Sequence, residues 1–123
     1  MKTALRNKLK TKIIEVLNAQ TSPLTAGELA YLCNSSPRLF RAAKERDNIF
    51  DEITKELFER EGRYLCVLMQ EVEGEKAGIF ISDSKKLFLA SLAQRMARVT
   101  REITQLQSLY GIAGSNLSQI KLL

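Results

Sequence analysis

Histidine is absent from the 123 residues, and cysteine occurs only twice, at Cys33 and Cys66. Without histidine there is no Ser-His or Cys-His nucleophile, no imidazole proton shuttle and almost no usual zinc site. The carboxylates are scattered along helical stretches. Asp51, Glu52 and Glu56 come nearest to a pair, at the spacing of a solvated helix face. Gly74, Gly78, Gly111 and Gly114 form neither a dinucleotide fingerprint nor a phosphate loop. Ser82 and Ser84 stand where a helix needs caps, not where a base could activate them. The residues therefore predict no enzyme, no cofactor and no bound metal.

The chemistry that remains is that of fixed positive charge. Nineteen Lys and Arg stand against fourteen Asp and Glu, a net charge of +5. The distribution is uneven. Residues 1–24 carry +4 and residues 25–46 carry +2. Residues 47–62 carry −4 and residues 63–83 carry −2, and residues 84–123 return to +5. Basic ends around an acidic middle suit a phosphate backbone, which attracts such patches without regard to sequence. The candidate contacts are Lys8, Lys10 and Lys12 near the start, then Ser35, Ser36, Arg38, Arg41, Lys44 and Asn48.

Helical periodicity must position these groups. Leu5, Leu9, Ile13, Val16 and Leu17 mark one face of a helix over residues 3–19, with the lysines on its other side. Thr25 and Glu28 have capping-box spacing, so a short helix follows through Leu29, Ala30, Leu32 and Cys33. Asn34 and Ser35 turn the chain. Ser36 then caps a third helix with Pro37 at its first position, where a missing N–H costs nothing. Leu39, Ala43, Phe50, Ile53 and Leu57 give that helix a buried face, either unbroken to about Arg60 or interrupted with Asp47 as a new cap. Arg38, Arg41, Lys44, Glu45 and Asn48 then fall on the opposite side.

Residues 64–69 are an unbroken apolar run, Glu73 to Lys76 supply a turn, and residues 77–81 read as the return strand of a β-hairpin. Beyond Ser82-Asp83-Ser84, the positions Leu89, Leu92, Met96, Val99, Ile103, Leu106 and Tyr110 alternate in steps of three and four. This is a heptad seam that predicts pairing with a second copy of the chain. The fold class expected is mainly α with one β-hairpin (α+β). A domain over residues 1–83 is followed by a dimerisation helix over 84–110 and a mobile tail over 111–123.

The stretch from Leu24 to Arg41 resembles the winged helix-turn-helix superfamily. Thr25-Ala26-Gly27-Glu28-Leu29-Ala30 matches its T-x-x-E-L-A helix. Ser36-Pro37-Arg38-Leu39-Phe40-Arg41 matches the start of its reading helix, and Glu61-Gly62-Arg63 resembles its junction with the wing. The likeness spans residues 4–82. It implies a homodimeric transcriptional regulator whose helix after Pro37 enters the major groove of double-stranded DNA, with two basic helices reading two half-sites. The acidic stretch 47–62 and the glutamates Glu71, Glu73 and Glu75 run against phosphate contact. An alternative register that reads DNA with residues 48–61 suffers most from that charge. The alternative function is a protein-binding adapter or inhibitor of phage or plasmid type, docking through the acidic helix and the hairpin.

Cys33 and Cys66 lie in apolar surroundings and read as buried thiols in a reducing compartment rather than a disulfide. The basic start never becomes a continuous apolar stretch, and no apolar run nears the ~18 residues that span a bilayer. A cytoplasmic protein that makes no membrane contact is expected.

Overall fold

The computed structural model describes residues 3–109; Tyr110 and the expected tail over 111–123 lie outside them. Five helices and one antiparallel hairpin follow in the order α1 (Thr3–Ala19), α2 (Ala26–Leu32), α3 (Pro37–Glu45), α4 (Ile49–Glu61), β1 (Tyr64–Leu68), β2 (Gly78–Ser82) and α5 (Lys85–Leu109). The expected α+β class is borne out. The chain divides into two compact units after Ser91, so the first holds α1 to the opening turns of α5 and the second the rest of that helix. Among the described residues no helix is long and apolar enough to cross a membrane.

Caps set the helix boundaries. The Glu28 N–H donates to Thr25 Oγ1 (3.1 Å), and the Thr25 N–H donates back to the Glu28 carboxylate (2.9 Å). That reciprocal bond holds the Glu28 carboxyl below its usual range. Helix α2 ends in a left-handed Asn34 (φ 54°). The Ser35 N–H reaches the Ala30 carbonyl and the Asn34 N–H that of Tyr31, the paired bonds of a Schellman stop. Ser36 Oγ then accepts from the Leu39 N–H, with Pro37 at the first helical position.

The third helix is not continuous. Helix α3 stops at Glu45 and α4 starts at Ile49, with Asn48 left-handed (φ 49°, ψ 42°) and giving no side-chain cap. Asp51 and Glu52 in the first turn of α4 complement its dipole instead of a cap. Asp47 is therefore not the cap. The break has a packing consequence. On one unbroken helix Leu39 would lie in line with Phe50 and Leu57. With the axis interrupted, α3 rotates its own face inward, burying Phe40 and Ala43 and leaving Leu39 45% exposed. Phe40 meets Phe50 edge-on at 6.1 Å.

The hairpin is covered on both faces, which explains why residues 64–69 show no polar alternation. Leu65, Val67, Ile79 and Ile81 face the helical core around Ile13, Leu29, Ile53 and Leu57. Tyr64, Cys66, Leu68 and Phe80 face outward and are covered by Leu87 and Phe88 of α5. Leu24, between α1 and α2, makes an isolated antiparallel bridge to Ile79, with hydrogen bonds of 3.0 and 2.7 Å. Gly78 permits that approach. Its φ is +131°, and a Cβ there would stand 2.7 Å from Pro23 Cβ and 3.1 Å from the Leu24 carbonyl.

Both cysteines are free and buried. Burial pushes the Cys66 thiol up to about 11, with the Glu75 carboxylate adding to the rise. Burial also raises Cys33, with Lys12 opposing it. Cys66 is expected to resist Ellman's reagent at pH 8 in the native protein and to react once it is unfolded; rapid native labelling of Cys66 would contradict this packing. Gly78→Ala is expected to lower unfolding free energy by about 1–3 kcal/mol, as measured by urea denaturation.

Candidate nucleic-acid interface

Helix α1 distributes its cations to two flanks of one buried stripe. Leu9, Ile13, Val16 and Leu17 form the stripe. On one flank Arg6 and Lys10 turn toward α4. Arg6 pairs with the Glu52 carboxylate and donates through Nη2 to the Asp47 carbonyl (2.7 Å), closing the α3–α4 corner. Lys10 Nζ lies 3.3 Å from Glu52 and 3.0 Å from Glu56. Both cationic side chains are less than one-fifth exposed, so these contacts sit in a medium of weaker screening than surface pairs. Lys10 is therefore not a free cation of the expected DNA surface, because α4 holds it.

On the other flank Lys8 and Lys12 are exposed and face the turn between α2 and α3. Together with Ser35, Ser36 and Leu39 they border an open groove of about 380 Å³ whose apolar wall is Leu5 and Leu9. Lys8 has no ion pair with another described residue, and Lys12 has only a 3.8 Å approach to Glu15. Helix α3 starts directly after Ser36. Arg38 and Arg41 are exposed on the side away from Phe40 and Ala43, and neither pairs with a described carboxylate. Both serines occupy backbone roles at the turn. Ser36 Oγ caps α3, and Ser35 Oγ donates to the Ser36 carbonyl (3.2 Å).

Two further expected residues lie at the end of α3 and beyond it. Lys44 is half-buried at the edge of the Phe40–Ala43 face, in the last turn of α3. Asn48 is exposed but lies beyond α3, in the left-handed corner before α4. In the expected set Lys8, Lys12, Ser35 and Ser36 line one groove, Arg38 and Arg41 are exposed on α3 with Lys44 half-buried one turn on, Lys10 is held by α4, and Asn48 lies beyond α3. The aliphatic members Leu5 and Leu39 were not expected at this surface. The only sequence signal for Leu39 was the polar corner at Asp47-Asn48, which breaks the helix and turns that side chain outward.

Glu52, Glu56 and Glu61 of the acidic stretch that runs against DNA are paired within the fold. Glu52 and Glu56 are engaged by α1, Glu56 also by Arg60 at 3.3 Å, and Glu61 approaches Arg63 at 3.6 Å. At the hairpin tip Glu73 holds Lys86 at 2.7 Å, which raises the lysine's pKa. Among the described residues no group of three His, Cys, Asp or Glu side chains converges as metal ligands would. The expected seam residues Leu89, Met96, Val99, Ile103 and Leu106 are exposed on α5, and Leu92 is half-buried. No family model, curated protein or solved structure matches this chain.

Arg6→Met keeps the aliphatic stem but orphans the Asp47 carbonyl and one side of Glu52. It is expected to cost about 1–3 kcal/mol of unfolding free energy. Lys8→Met, on the open flank, should change it by less than about 0.5 kcal/mol. Equal effects in chemical denaturation would contradict the division of α1 into two flanks.

Proposed function

We propose that this protein binds double-stranded DNA through the surface formed by the start of α3 and the open flank of α1, as a transcriptional regulator of winged-helix type. The observation that carries the proposal is the sorting of charge. The cations beside α4 are held by carboxylates, whereas Lys8, Lys12, Arg38 and Arg41 stand outward around one helix start. Arginines on an exposed helix have the donors that the major-groove edge of guanine accepts, and lysines beside them supply attraction to phosphate.

Three features support the winged-helix part. A four-residue turn, residues 33–36, joins α2 to α3 through a left-handed Asn34. A bridging residue between the first two helices, Leu24, pairs with the second hairpin strand. The hairpin follows the helical set directly after Gly62. The departure from a minimal domain of that type is α4, which stands between the reading helix and the hairpin and carries the acids. In this reading α4 is a spacer facing α1, and the hairpin supports α5 rather than contacting DNA. A protein adapter would instead need the carboxylates of α4 free, yet Glu52 and Glu56 are paired.

The test is fluorescence anisotropy with random and selected duplexes across a salt series. The double variant Arg38→Ala/Arg41→Ala is expected to lose at least about tenfold in affinity, to reduce the salt slope by about two, and to keep its helix content. Absence of wild-type binding at low salt would overturn the proposal in favour of the adapter.

A further inference from the structure

The described part of α5 presents an apolar stripe to solvent, with Leu89, Met96, Val99, Ile103 and Leu106 each half or more exposed and Leu92 between them. We infer that this stripe pairs with α5 of a second copy of the chain, and that the two helices run antiparallel. The inference is independent of the DNA reading.

The residues beside the seam set the orientation. With Leu89, Met96 and Ile103 at heptad position a, and Leu92, Val99 and Leu106 at d, the charged flanking residues are Arg95 and Glu102, both at g. In a parallel pair each g residue faces an e residue of the next heptad. Arg95 would then meet the partner's Thr100 and Glu102 the partner's Gln107, with no charge pairing. In an antiparallel pair g faces g. The alignment that sets Leu89 against the partner's Leu106, Leu92 against the partner's Ile103 and Met96 against the partner's Val99 brings Arg95 opposite the partner's Glu102. Two-fold symmetry repeats that contact. Every seam residue from 89 to 106 then has a seam residue across from it, so the stripe is complementary to its own reverse. Arg98 and Arg101 fall at c and f, away from the contact. Within one chain Glu102 receives Arg98 at 3.2 Å and stays 57% exposed, so it retains room for a second cation.

The surface extends past the helix. Leu89 also borders an apolar groove of about 380 Å³ formed with Phe58, Tyr64 and Phe88. Tyr64 and Phe88 stack at 4.9 Å, and Phe58 is 56% exposed at its edge. Leu89 thus belongs both to the stripe and to this groove.

The experiment uses the full chain in sedimentation equilibrium and in disulfide trapping. Wild type is expected to dimerise. Arg95→Glu should weaken the dimer by about tenfold through like charges at both contacts, and adding Glu102→Arg should restore it. A mixture of Leu92→Cys and Ile103→Cys chains should cross-link on oxidation, whereas Leu92→Cys alone should not. The native cysteines are buried and give a low background. A monomer at every concentration up to the millimolar range would overturn the inference. Efficient cross-linking of Leu92→Cys alone would overturn it too, since that outcome reports a parallel pair.

Discussion

The paired contacts of Arg6 with Glu52 and the Asp47 carbonyl are the interaction on which the rest of this fold depends. They fix α4 against α1, close the corner at Asn48, and thereby determine which face α3 turns inward. They also remove a conflict. A chain with six acids between residues 47 and 62 would repel a polyanion if those acids lay open. Engaging two of them from α1 confines the field of the acidic helix to one side of the molecule and leaves the opposite flank of α1 positive.

The second constraint is the hairpin, which serves two layers at once. Its inner face completes the helical core, and its outer face receives α5. Two strands alone are marginal in water, and here both faces and the Leu24 bridge supply what an isolated hairpin lacks. The tip turns through two left-handed residues, Glu73 and Gly74, the geometry that follows the right-handed twist of the strands. Placed inside the fold in this way, the hairpin carries the start of α5 on its outer face.

Much of this arrangement was legible from residues acting over short distances. The Thr25–Glu28 box, the Ser36-Pro37 start, the Asn34 turn and the glycine before β1 each act within one turn of chain, and each stands where the sequence reading put it. The α+β class followed from them. What escaped was set by contacts distant in sequence. The apolar positions 39, 43, 50, 53 and 57 fit one continuous helix, and nothing local forbade it. The break at Asn48 is held by Arg6, more than forty residues earlier in the chain. The same single displacement explains the exchange of Leu39 for Phe40 in the core and the departure of Asn48 from α3. The pairing of Lys10 was hidden for a related reason. Lys8, Lys10 and Lys12 are indistinguishable by type, and only the position of α4 decides which of them meets a carboxylate.

That difference between neighbouring lysines gives the most direct measurement of the account. Duplex affinity and its salt slope would be compared for Lys12→Ala and Lys10→Ala under identical conditions. The charge sorting described above requires Lys12→Ala to weaken binding and lower the slope by about one, and Lys10→Ala to leave both near the wild-type values. Equal losses from the two substitutions, or a larger loss from Lys10→Ala, would show that the cations of α1 are not divided between α4 and an open DNA-facing flank.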